Sequence, residues 1–76
     1  MIRELDLVAL NSDIVGEGLR AGDIGTVVLV HADGGFEVEF ERSDPQYPAV
    51  LTLERDQVKE LTPDEIKRCR IARKRA

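Results

Sequence analysis

The chain has no tryptophan, one tyrosine, two phenylalanines, one cysteine and one histidine among its 76 residues. Each shortage removes a class of function. A lone cysteine, Cys69, leaves no internal disulfide and agrees with a reducing compartment. There is no CxxC, HxxxH or calcium-loop spacing, so no metal site is expected and no cofactor is implied. Three aromatics cannot line a groove for a proline-rich ligand or stack a run of single-stranded bases. No apolar run approaches the ~18 residues a membrane span needs. The opening "MIRELDLVAL" interrupts its apolar residues with charges, unlike a secretory signal, so a cytoplasmic protein is expected.

Charge is plentiful, and it is unevenly placed. The net charge is −4. Residues 1–62 hold five bases against thirteen acids, a balance of −8, while residues 63–76 hold six bases against two acids, a balance of +4. An acidic body carrying a basic tail is the main electrostatic feature. At this length one domain is expected, burying roughly 60% of the surface its unfolded form exposes.

The pattern along the chain is that of short strands. "ELDLVAL", residues 4–10, reads as the first, with Asp6, Val8 and Leu10 on one face. The polar "NSDIVGEG" folds back through Ile14 and Val15, and Leu19 anchors the loop as a lone apolar residue. "AGDIG" is turn chemistry: Gly22 and Gly25 are expected at positive φ, and Asp23 bonds nearby backbone. "TVVLVH" is a strongly β-branched strand. Asp33-Gly34 signals a hairpin. "FEVEFE" then alternates, with Phe36, Val38 and Phe40 inward and Glu37, Glu39 and Glu41 outward. "RSDPQYP" is a loop stiffened by Pro45 and Pro48, "AVLTL" a fourth strand, "ERDQV" a tight helical turn and "KEL" a short last strand. Five such strands predict a mostly β domain, a small five-stranded SH3-like barrel over residues 1–62. Thr62, Pro63 and Glu65 form a helix-start signature, predicting a C-terminal α-helix over 63–76 that packs on the barrel or extends from it.

Two resemblances attach to these residues. "ELDLVALNSDIVGEGLRAGDIGTVVLVHADGGFEVEF" followed by "LTLERDQV" resembles a family of small bacterial proteins known as domain of unknown function 4926. That resemblance runs from about Glu4 to Leu61. It implies an SH3-like barrel and brings no catalytic residues. "AGDIGTVVLV" is also similar, over about ten residues, to the KOW motif of ribosomal and transcription-associated proteins.

The residues point to binding and away from catalysis. His31 has no visible nucleophile to serve, and the glutamates of "FEVEFE" have the spacing of a solvated strand face. The glycines precede a strand and match no phosphate-cradling motif. The expectation is a non-enzymatic protein-interaction module, an accessory, inhibitory or immunity-type subunit that meets an unidentified protein partner or a second copy. Its candidate contacts are Tyr47 with Pro45 and Pro48, and the face of Glu37, Glu39 and Glu41. The alternative is an RNA- or DNA-binding accessory using Lys67, Arg68, Arg70, Arg73, Lys74 and Arg75, each able to neutralise a phosphate. Cys69 is expected to be a small apolar contact on the helix.

Overall fold

The computed structural model describes residues 1–41 and 49–68. Five antiparallel strands form one sheet: β1 (Leu7–Leu10), β2 (Ile24–Val30), β3 (Phe36–Phe40), β4 (Ala49–Leu53) and β5 (Val58–Glu60). Their order across the sheet is β4-β3-β2-β1-β5. An α-helix, α1, opens at residues 63–68.

The SH3-like barrel is not what the chain forms. The sheet is open: β4 and β5 stand at opposite edges, and no ladder joins them. Between Leu53 and Val58 lie only Glu54 and a 3₁₀ turn, Arg55–Gln57. A flat five-stranded sheet would separate its edges by ~19 Å, while a 3₁₀ turn rises only ~2 Å per residue. The sheet therefore coils strongly, yet the final ladder is missing. Closure needs a matched stagger of hydrogen-bonded strands, and β5 offers three residues. The 3₁₀ turn is tied to the end of β1 instead: Asn11 donates its backbone N–H to the Gln57 carbonyl (2.8 Å) and its side-chain amide to the Asp56 carbonyl (2.9 Å).

The coiled sheet wraps one small core. Val8, Val27, Val38 and Phe40 are its fully buried members, with Leu10, Leu19, Phe36, Leu53 and Val58 around them. Every buried residue among those described is apolar. Leu19 anchors the long β1–β2 loop as expected, bridging to Ile14. Ile14 packs on the core, whereas Val15 is 86% exposed and holds nothing down. Polar contacts supply the rest: Asp13 Oδ1 accepts from the Ala21 N–H and Asp23 Oδ2 from the Arg20 N–H. Gly22, at φ 91°, makes the turn. Gly25 does not share that role. It lies inside β2 without a positive φ, paired between Val8 and Phe40.

The first strand is shorter than its pattern. Leu5 sits at φ 74° and breaks the extended run before Leu7. Its N–H donates to the Val27 carbonyl (2.7 Å), and Asp6 Oδ2 accepts from the Arg3 N–H (2.9 Å), so the kink is held from both sides. A left-handed conformation costs a residue with a Cβ roughly 1–2 kcal/mol. The Leu5 side chain is 79% exposed and returns little of that. Leu5→Asn, which tolerates this region and keeps the N–H, is expected to stabilise the domain by about 0.5–1 kcal/mol. Chemical denaturation reads this directly; a loss of stability would mean that the leucine side chain contributes packing.

Helix α1 starts as its signature predicts. The Thr62 N–H donates to Glu65 Oε1 (2.9 Å), and the Glu65 N–H donates to Thr62 Oγ1 (3.2 Å). Lys59 of β5 adds an ion pair to Glu65 at 3.1 Å. The Glu65 carboxyl is held below the usual carboxylate range, first by the Thr62 backbone N–H, then by Lys59 and the Thr62 hydroxyl. A lowered folded value means that this contribution is complete above the unfolded glutamate pKa, ~4.3. It is lost as pH falls through the folded value. The Thr62 amide resonance is expected to titrate in that acidic window. Glu65→Gln should remove the step while keeping the cap, since glutamine also fits this motif. A Thr62 amide that titrates identically in the variant would show that another group is responsible.

Candidate functional site

The outer face of the sheet is built by β3. Its alternation is as read: Phe36, Val38 and Phe40 are buried, Glu37 and Glu39 are half-buried, and Glu41 lies just past the strand, exposed. β3 runs between β2 and β4, and directly opposed residues share a face. Glu37 therefore lies between Leu29 and Thr52, and Glu39 between Thr26 and Val50. Leu29 is 42% exposed and Val50 49% exposed. The result is two carboxylates set among apolar and hydroxyl side chains. Glu37 is engaged by His31, Nε2 to Oε2 at 3.1 Å. Among the described residues, the Glu39 carboxylate has no ion-pair or hydrogen-bond partner.

The apolar part of this face is illegible in the run "TVVLV". A register shift between Val27 and Leu29 inserts Val28 as a bulge. An inserted residue switches the alternation beyond it. Val27 is fully buried, but Val28, Leu29 and Val30 are all more than a third exposed. The sequence marks this run as a β-branched strand, and which of its side chains are exposed follows from the bulge and the register.

A groove of about 770 Å³ borders the face where the β2–β3 hairpin approaches the 3₁₀ turn. His31, Asp33 and Glu37 stand on one side, and Glu54, Arg55 and Asp56 on the other. The hairpin is shaped as its Asp-Gly signal requires: Gly34 is at φ 101°, and Asp33 Oδ1 accepts from the Gly35 N–H (3.2 Å). Among the described residues no group of three histidine, cysteine or carboxylate side chains converges as a metal site would. The groove's ionisable groups come from segments about twenty residues apart, so their meeting could not be read from spacing.

The other expected contacts fall elsewhere. Pro45, Tyr47 and Pro48 lie outside the described residues, as do Cys69, Arg70, Arg73, Lys74 and Arg75. Lys67 and Arg68 are exposed on α1. No helix among the described residues is long and apolar enough to cross a membrane.

Residues 4–60 match the family described as domain of unknown function, DUF4926. The chain belongs to that family. No curated protein and no solved structure matches it. The DUF4926 match takes in all five strands, the 3₁₀ turn between β4 and β5 and the glutamate face, and it ends before the Thr62–Glu65 cap. Helix α1 and the basic tail thus lie beyond the DUF4926 domain proper.

Proposed function

We propose that this DUF4926 domain is a non-enzymatic protein-interaction module of the cytoplasm, acting as an accessory, inhibitory or immunity-type subunit. The observation that carries the reading is the outer sheet face, where the Glu39 carboxylate, without a partner among the described residues, lies beside half-exposed Val50 and Thr26. Exposed apolar side chains next to carboxylates suit a partner that is apolar at the centre and basic at the rim. The acidic body, −8 over residues 1–62, would also speed encounter with a basic surface. The test is a tagged full chain expressed in its native cells. One stoichiometric companion is expected, lost when Glu39 is replaced by lysine. A monomer with no companion would overturn the reading.

A second reading rests on Lys67 and Arg68, which are adjacent and exposed on a firmly capped helix. In that case the chain is an accessory that binds RNA or DNA through its basic tail. Retention on mixed RNA should then fall steeply with salt and drop further in a Lys67→Glu, Arg68→Glu double variant. No retention at low salt would remove it.

A further inference from the structure

We infer that β4 receives an added strand: an extended, basic segment of another protein that lengthens the sheet at its open edge. This rests on the interaction reading above and names its geometry and partner chemistry. The two edges of the sheet differ. β5 is three residues long and carries Lys59 and Glu60. Both are engaged, Lys59 with Glu65 at 3.1 Å and Glu60 with the N-terminal amine at 3.6 Å. Short length and charge are the usual guards of an edge. β4, "AVLTL", has neither charge nor proline over its five residues. Among the described residues its backbone pairs with β3 alone.

The side chains around β4 state what the incoming strand must carry. On the inner face, Leu51 is only half-buried between the covered Ala49 and Leu53, so apolar residues at alternate positions would extend the core over it. On the outer face, Val50 lies between the new strand and Glu39. The carboxylate is two strand spacings away, about 9.6 Å. A lysine or arginine can lay its stem over Val50 and bring its charge toward Glu39. The occupant is thus apolar on one face and basic on the other, in strict alternation. A second copy of this chain pairing β4 with β4 is the poorer fit. Its own β4 carries no base, and its body is equally acidic.

The experiment is a titration of the isotope-labelled full chain with a capped eight-residue peptide of alternating lysine and valine. Saturable binding is expected, with amide exchange slowed at alternate residues of β4. The glutamate–valine counterpart should not bind. N-methylation at alternate peptide amides, made in both phases, should weaken binding about tenfold or more in one phase only. Glu39→Gln should weaken it about fivefold and flatten its salt dependence. Val50→Lys should abolish it. That lysine stands opposite Glu39 in the register, and an unchanged melting temperature confirms that the variant folds. Binding that ignores Val50→Lys, or that tolerates N-methylation in both phases, overturns the proposal. So does a dimer of the chain alone that protects β4 and is dispersed by Val50→Lys. A native companion held equally by wild type and Val50→Lys overturns strand addition while leaving the interaction reading intact.

Discussion

Gly25→Ala is expected to cost about 3 kcal/mol, at the upper end for overpacking a core, and Gly25→Val to abolish folding. A Cβ built on Gly25 would lie 2.6 Å from Val38 Cγ1, 2.8 Å from Phe40 Cε1 and 2.9 Å from the Glu39 carbonyl oxygen. The two side chains could shift by rotating. The carbonyl cannot, because β3 is held in register by β2 and β4 on either side. A 76-residue domain has a stability of about 4–11 kcal/mol at ~0.05–0.15 kcal/mol per residue. The alanine variant should therefore melt roughly 12–24 °C lower, and valine adds two more methyl groups to a space that already rejects one. Thermal melting followed by circular dichroism is sufficient. An alanine variant within a few degrees of the wild type would show that β2 and β3 can separate locally without loss.

That glycine also marks the boundary of what the sequence discloses. A need for glycine between Asp23 and the following strand is legible, but the reason is not. Positive φ occurs at Gly18, Gly22 and Gly34, whereas at Gly25 a Cβ is excluded by three neighbours on β3, the Val38 side chain, the Glu39 carbonyl and the Phe40 ring. The ring belongs to a residue fifteen positions later. Local chemistry behaves as expected elsewhere: the Asp33-Gly34 hairpin, the period-two alternation of β3, the 3₁₀ turn after β4 and the Thr62–Glu65 cap all depend on neighbours within a few residues. Non-local facts do not show. Strand count suggested a closed barrel, but closure depends on whether β4 and β5 meet, and no local pattern encodes that. The bulge at Val28 is equally silent, so the exposed apolar half of the outer face was missed while its glutamates were found. Those glutamates are legible because a strand face writes them at every second residue; their companions Leu29 and Val50 become neighbours only through register.

Phe40→Ala is expected to remove about 3–5 kcal/mol, a large share of the roughly 4–11 kcal/mol that a domain of this length has. Phe40 is 1% exposed and is flanked in its row by Gly25 on β2 and Ala49 on β4. Two small residues on either side leave the space that one ring fills. Truncating the ring leaves a cavity that neither neighbour can occupy, and cavities cost more than the transfer of the lost atoms. Phe40→Leu should cost less, since it keeps most of the volume. The pair with Gly25 is the sharper test. In a Phe40→Leu background the ring edge that would meet an alanine Cβ is gone, so Gly25→Ala should be milder there. A coupling of about 1 kcal/mol is expected between the two positions. Additive losses would place the collision on Val38 and the Glu39 carbonyl instead. The same row explains why the outer face depends on the core. Glu39 is held between Val38 and Phe40, and its outward aim lasts only while both of them point in. Equilibrium denaturation of the four proteins measures the coupling. The lysine–valine peptide, titrated into the folded Phe40→Leu variant, should bind as it does to the wild type if the leucine still keeps β3 in register.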